Sequence, residues 1–262
     1  MEQSDRSIKY YRDWRIDAEG NQRASSVNSI ESDFTEYNEN FSQDSRGNQK
    51  FESKRITFSD GTKSLYKNIS KYFNGTERFD LLTMKSTSGW EAVYKSTSYD
   101  SDGNEKSESL TVTYSNGEQE VYKNYLRNAY GNEKSESLTV TYSNGEQKVY
   151  KNYLRHAYGN KKSESLTVTY SNGEQSVYKN YLRDANGTEE SDLRIIVTPD
   201  DNRYIYENYS RDANGNEKCD ILTLELRDGT KFAYKNYSRD ANGNENFESS
   251  IRISYDGSQQ VL

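Results

Sequence analysis

The chain has 262 residues, of which 31% are hydrophobic, and its mean hydropathy is −1.18. Its net charge of −7 comes from 42 acidic and 35 basic residues spread along the chain, so no basic patch forms and nucleic acid is not an expected partner. No apolar run approaches the ~20 residues of a membrane helix, so no membrane span is expected. Strict periodicity and abundant Tyr, Thr and Val argue against disorder.

The first predicted element is a strand from Ile8 to Asp17, which carries Trp14 where later copies carry tyrosine. We expect residues 1–19 to form an N-terminal edge strand. The opening residues, Met1 to Arg6, lack the apolar segment of a signal peptide.

Glycines then mark a repeat of 28 residues. One series advances by 27 residues once and by 28 seven times, and a second series lies midway between its members. The first series is Gly20, Gly47, Gly75, Gly103, Gly131, Gly159, Gly187, Gly215 and Gly243. The second is Gly61, Gly89, Gly117, Gly145, Gly173, Gly229 and Gly257. Turns therefore recur every 14 residues.

Asn or Asp usually precedes these glycines, which predicts two-residue type I′ turns between antiparallel strands. The predicted fold is all-β: an antiparallel up-and-down meander of about 18 strands from nine tandem 28-residue β-hairpin repeats. It is expected to form a single array over residues 1–262. An open extended sheet and a closed or flattened barrel both satisfy this pattern.

The central repeats predict the register and the two faces of the sheet. A type I′ turn at Asn116-Gly117 pairs Leu110 with Lys123 and Thr111 with Tyr122. Leu110 and Tyr122 are then on opposite faces, which exposes the tyrosine row on a Ser/Thr surface. This row is the candidate ligand face: Tyr122, Tyr150, Tyr178, Tyr206 and Tyr234.

The last predicted elements depart from the central pattern. In the segment 243–262 the apolar residues are offset by one from their counterparts in the central copies, and the chain ends in a partial strand. We expect this segment to form an atypical repeat. The candidate assembly edges combine apolar residues from both ends of the array: Ile8, Tyr10, Trp14, Ile251, Ile253, Tyr255 and Val261.

No residue pattern predicts catalysis. His156 is the single histidine and stands at a turn position that varies between repeats, and the carboxylates recur with the repeat. Cys219 has no second cysteine to pair with. The segments 184–189 and 212–217 resemble parts of a calcium loop, but Asn-Gly turn chemistry already explains them. We expect no enzyme activity, no cofactor and no metal.

The architecture favours a structural protein. If the sheet is open, its last strand can pair with the first strand of another copy, giving a head-to-tail filament. We therefore expect a self-assembling fibre subunit, extracellular or on a cell surface, whose partner is itself. The alternative is a non-catalytic binding or adhesion module that presents its tyrosine and Ser/Thr face to glycans or a partner surface.

Overall fold

The structure, a computed structural model, describes residues 8–262. Its secondary structure consists of 21 antiparallel β-strands, and no helix occurs among these residues. The chain divides into two compact units, residues 1–129 and residues 130–262. Within each unit, over the described residues, strands contact only the strands beside them in the sheet, so each unit is built from a single layer.

The first unit contains ten strands. They are β1 (Ile8–Arg12), β2 (Arg15–Ile16), β3 (Gln22–Ile30), β4 (Phe34–Gln43), β5 (Gln49–Phe58), β6 (Lys63–Lys71), β7 (Glu77–Lys85), β8 (Glu91–Tyr99), β9 (Glu105–Thr113) and β10 (Gln119–Arg127).

The second unit contains eleven strands. They are β11 (Glu133–Thr141), β12 (Gln147–Arg155), β13 (Lys161–Thr169), β14 (Gln175–Arg183), β15 (Glu189–Val197), β16 (Arg203–Arg211), β17 (Glu217–Glu225), β18 (Lys231–Arg239), β19 (Glu245–Asn246), β20 (Ser249–Ile253) and β21 (Gln259–Val261).

These strands confirm the predicted antiparallel meander. β1 and β2 both pair with β3, and β19 and β20 both pair with β18, so each of these couples is one interrupted strand. Counted this way, the 21 strands are 18 full strands and the short β21. In the described chain β1 pairs only with β3 and β21 only with β20, as the open-sheet alternative predicts.

The turns differ from the predicted type I′ geometry. The amide of Gly117 donates to the carbonyl of Tyr114 at 3.0 Å, and the amide of Tyr114 donates to the carbonyl of Glu118 at 2.8 Å. Gly117 has φ of 84°, while Asn116 is outside the positive-φ region. This is the three-residue hairpin loop of a type I turn followed by a left-handed glycine. Asn116 instead accepts a hydrogen bond from the amide of Glu118 at 3.0 Å.

The longer loop shifts the register by one residue from the predicted one. Leu110 pairs with Tyr122, and Thr111 pairs with Val121. Because a one-residue shift exchanges the faces of a strand, the tyrosine row lies on the same face as the leucines. The predicted separation of Leu110 and Tyr122 was therefore wrong. β20 pairs with β18 in the same register as the corresponding strands of the other repeats. The offset apolar residues of the last repeat therefore lie on the opposite face from their counterparts, while the strand pairing is unchanged.

Every full repeat has a left-handed residue inside a strand, which the sequence analysis missed. Asn180 has φ of 51°, and its side-chain amide donates to Asp192 in the next strand at 2.7 Å. The left-handed residue interrupts the two-residue alternation, so that Tyr178 and Tyr181, three residues apart, are both buried and pack edge to face. The equivalent residues are Asn40, Asn68, Ser96, Asn124, Asn152, Asn208 and Asn236.

Asparagines also tie neighbouring turns together. The side-chain oxygen of Asn160 accepts a hydrogen bond from the amide of Ala185 at 2.8 Å, and Asn216 accepts one from Ala241 at 3.0 Å. Each bond joins residues 25 positions apart, in turns that are neighbours along one edge of the array. The turns are therefore stacked rather than independent loops.

The apolar core of each unit lies on one face of its sheet, which we call the aromatic face. In the first unit it is a cluster of Ala24, Val27, Phe41, Phe51, Ile69, Phe79 and Leu82. In the second unit it consists mainly of Leu138, Val140, Leu166, Val168, Leu222 and the buried tyrosines. Over the described residues, the opposite face, which we call the Thr/Val face, has no such buried row.

Candidate assembly edges and the buried aromatic row

The N-terminal edge is unusually apolar for an exposed strand. All five residues of β1 are exposed, including Ile8 and Tyr10, and Tyr10 is 56% accessible. Trp14 follows in the interruption between β1 and β2 and is 50% accessible, with its ring 6.3 Å from that of Tyr11. One backbone edge of β1 is paired with β3, and its other edge has no strand beside it in the described chain.

The predicted C-terminal edge residues are spread over three elements. Ile251 and Ile253 lie in β20, one strand inside the edge, and Tyr255 lies in the following turn. Val261 lies in β21, the edge strand itself, and is 77% accessible. β21 pairs with β20 through only three residue pairs. The structure therefore places Val261 at the edge and the two isoleucines behind it.

The buried tyrosines of the second unit form a continuous row of rings. Successive ring centroids are 5.1–6.4 Å apart, in tilted and edge-to-face arrangements that aromatic pairs favour. In contact order the rings are Tyr153, Tyr150, Tyr181, Tyr178, Tyr209, Tyr206, Tyr237, Tyr234 and Phe247.

Burial decides the ionisation of these phenols. Loss of solvent raises the pKa of Tyr178 and that of Tyr206 to about 12, although the positive charge of Arg194 opposes the rise at both. Burial followed by the charge of Glu189 raises the pKa of Tyr181, whose hydroxyl donates to that carboxylate at 2.9 Å. These three phenols are therefore held in their neutral form.

Arg194 breaks the repeat at the centre of this row. It occupies the position held by Leu166 and Leu222 in neighbouring repeats. Its guanidinium lies 4.6 Å from the ring centre of Tyr209, and its Nη1 lies 2.9 Å from Oε1 of Glu217. The Tyr209 hydroxyl donates to the same oxygen at 2.8 Å. Both charged side chains are largely buried, so this is an internal ion pair rather than a surface one.

The candidate ligand face is mostly buried. Tyr122, Tyr150, Tyr178 and Tyr206 expose 5–8% of their surface, and Tyr234 is partly buried. Each of these rings packs against the ring of a second tyrosine in its own strand, as Tyr122 does against Tyr125. They lie on the same face as the leucines because Tyr122 pairs with Leu110. Glycan binding by these tyrosines stays a prediction, and the structure leaves little ring surface for a ligand to stack on.

The other residues weighed for chemistry lie apart from one another. Cys219 is buried, and burial raises the pKa of its thiol to about 12. His156 lies in an exposed turn. Asp212 accepts hydrogen bonds from the amides of Asn214 and Asn216 and from the Asn216 side chain. Its oxygens therefore stabilise the turn that the calcium-loop comparison singled out.

These features define an all-β tandem-repeat protein. Neither a protein-family model nor a curated protein matches the chain. None of the described residues belong to a helix long and apolar enough to span a membrane.

The solved structures that match this chain share little sequence with it and superpose on it poorly. The TCP domain of Drosophila melanogaster SAS-4, in complex with a proline-rich motif of Ana2, is 16% identical, with 80% of this chain and 88% of that chain covered and a TM-score of 0.30. The TCP10 domain of Danio rerio CPAP, in complex with a STIL peptide, is 13% identical over 79% and 97%, with a TM-score of 0.21. The CPAP G-box domain is 14% identical over 74% and 96%, with a TM-score of 0.21. Likeness at this level carries no conclusion about function.

Proposed function

We propose that this chain is a non-catalytic structural protein that assembles head to tail by pairing of its terminal strands. The carrying observation is the exposure of apolar residues at both ends of the array, with Tyr10 and Trp14 at one end and Val261 at the other. Exposed, unpaired strand edges are templates for pairing with another chain. Because the two edges belong to different surfaces, their contact is heterologous and propagates into a filament. A fibre of this kind fits an extracellular or cell-surface location.

The repeat architecture supports a structural role. Neighbouring turns are tied by asparagine hydrogen bonds, and strands are tied by the ring row, so one repeat supports the next. Among the described residues, no group of three or more His, Cys, Asp or Glu side chains is arranged to hold a metal ion.

The test is negative-stain electron microscopy across a concentration series, with the full chain and two variants. Deleting residues 1–18 removes β1 and β2, and the double variant Tyr10→Lys/Trp14→Lys places charge on the same edge without removing backbone. Both are expected to abolish filaments. The matched control is Tyr130→Lys/Tyr158→Lys, because both tyrosines are highly exposed in turns away from the edge strands. Single particles of the full chain at every concentration, or filaments from the edge variants, would contradict the proposal.

A further inference from the structure

The Thr/Val face of the second unit has an uncharged stripe that crosses its strands. Its side chains pair in register from strand to strand. None of them is charged, although 29% of the residues in the chain are charged. We call it the Thr/Val stripe: Thr139, Val149, Thr167, Val177, Ile195, Ile205, Thr223, Ala233 and Ile251.

Nothing in the described chain covers this stripe. Val149 is 37% accessible, whereas Val168, on the aromatic face, is 3% accessible. All the other members of the stripe are at least partly accessible. On the aromatic face, large rings cover the β-branched side chains. On the Thr/Val face of the same strands, no rings from the described residues cover them. An uncharged, partly exposed surface that continues over nine strands is a candidate interaction site.

The rows beside the stripe are mostly polar and of mixed charge. One side carries mainly Ser and Lys, including Lys151 and Lys179, with Glu207 among them. The other carries Thr and Gln along β11–β14, including Thr141 and Gln147. Along the later strands it continues with Val197, Arg203, Glu225, Lys231 and Ile253. An apolar centre with a polar rim is the usual anatomy of a protein interface.

We infer that the Thr/Val stripe is a face-to-face docking surface for a second copy of this chain. Strands lie ~4.8 Å apart, and residues on the same face of a strand lie ~6.8 Å apart. The stripe and the row on each side of it, over nine strands, therefore cover roughly 40 Å by 20 Å. This is about 800 Å² on each copy, the contribution that each partner makes to a stable dimer. No segment of the described chain occupies the area, and a second copy matches it in size.

Periodicity also favours a second copy over an unrelated partner. Along β11–β14 the stripe alternates Thr and Val from strand to strand, and every copy has the same spacing. Two stripes are therefore commensurate over their full length, and sheets pack face to face at ~10 Å separation through interdigitated β-branched side chains. This contact uses a sheet face rather than an edge, so it does not depend on the proposed edge pairing.

Sedimentation of an edge-blocked chain tests the inference separately from the edge proposal. In the Tyr10→Lys/Trp14→Lys background, the chain is expected to form a dimer. Adding Val149→Lys and Val177→Lys is expected to raise the dimer dissociation constant at least about tenfold. Adding Ser143→Lys and Ser171→Lys instead, in exposed turns of the same hairpins, is expected to leave the dimer intact.

A third pair of substitutions guards against a folding defect. Val149→Thr and Val177→Thr keep the β-branched shape that alternate strands already carry, and are expected to retain the dimer. Circular dichroism of every variant verifies the sheet. A monomeric edge-blocked chain at all concentrations, or a dimer unaffected by the two lysines in a folded chain, would overturn the inference. An unsubstituted chain that forms no filaments at any concentration but still forms this dimer would contradict the edge proposal and leave this inference standing.

Discussion

The left-handed asparagines show how a single residue shapes each strand. The left-handed region costs a residue other than glycine about 1–2 kcal/mol of conformational free energy. Asparagine is among the residues that tolerate this region best. The left-handed conformation of Asn180 places Tyr178 and Tyr181 on the same face. Asn180 also gains a hydrogen bond to Asp192 that alanine cannot make.

Substitution at Asn180 is expected to separate these two contributions. Asn180→Ala should lower the free energy of unfolding by about 1–2 kcal/mol, because it keeps the strained backbone and loses the bond to Asp192. Asn180→Gly should cost less, since glycine relieves the strain. Urea unfolding followed by tyrosine fluorescence measures the difference. Equal losses for the two variants would show that backbone strain contributes nothing.

The buried ion pair of Arg194 and Glu217 is a second case in which single residues affect stability. Breaking a buried ion pair at one partner leaves an uncompensated charge, whereas replacing both partners is often neutral. We expect Glu217→Gln to destabilise the chain by about 3 kcal/mol, and Arg194→Leu/Glu217→Gln to return within about 1 kcal/mol of the original. Leucine already fills this position at Leu166 and Leu222.

The matched control for the Arg194 variants is Glu189→Gln. Glu189 also accepts a tyrosine hydroxyl, from Tyr181, but its arginine neighbour, Arg183, is 3.9 Å away and about half exposed. Thermal unfolding should therefore respond much less to Glu189→Gln than to Glu217→Gln. Equal shifts in the unfolding temperature would show that the Arg194–Glu217 pair contributes no more to stability than the Arg183–Glu189 pair.

At the scale of the element, the hairpin repeat could be predicted from the sequence because glycine spacing sets turn positions directly. The loop type could not be predicted in the same way. Asn116-Gly117 suits a type I′ turn and also a type I turn with a left-handed glycine, and these differ by one residue in register. That one residue decided which face the tyrosines occupy. The face assignment therefore failed although the strand positions were right.

A signal for the mid-strand kink was present in the sequence. Asn152, Asn180, Asn208 and Asn236 recur at one position inside predicted strands, where asparagine is disfavoured, and each faces an acidic residue in the next strand. A periodic strand breaker with a periodic partner indicates a left-handed residue. The Arg194 pair, by contrast, joins strands separated by β16, a placement that only the register reveals.

At the scale of the whole molecule, stability depends on buried phenols that must remain un-ionised. Tyr178 and Tyr206 are buried within the row, and the raised pKa of each reflects the cost of ionising a phenol there. A raised folded-state pKa contributes stability that is fully present below the unfolded value. That stability is lost as pH rises through the folded value.

We expect the chain to unfold in alkali between pH 10, the ordinary phenol pKa, and about pH 12, the value reached by Tyr178 and Tyr206. Each unfolded phenol ionises first and draws the equilibrium towards the unfolded chain. Tyrosinate absorbance of the buried phenols should therefore rise together with loss of the β-sheet circular dichroism signal. Tyr178→Phe/Tyr206→Phe keeps both rings and removes two ionisable groups, so it should move the transition to higher pH. An unchanged transition in that variant would show that ionisation of these two phenols does not drive unfolding.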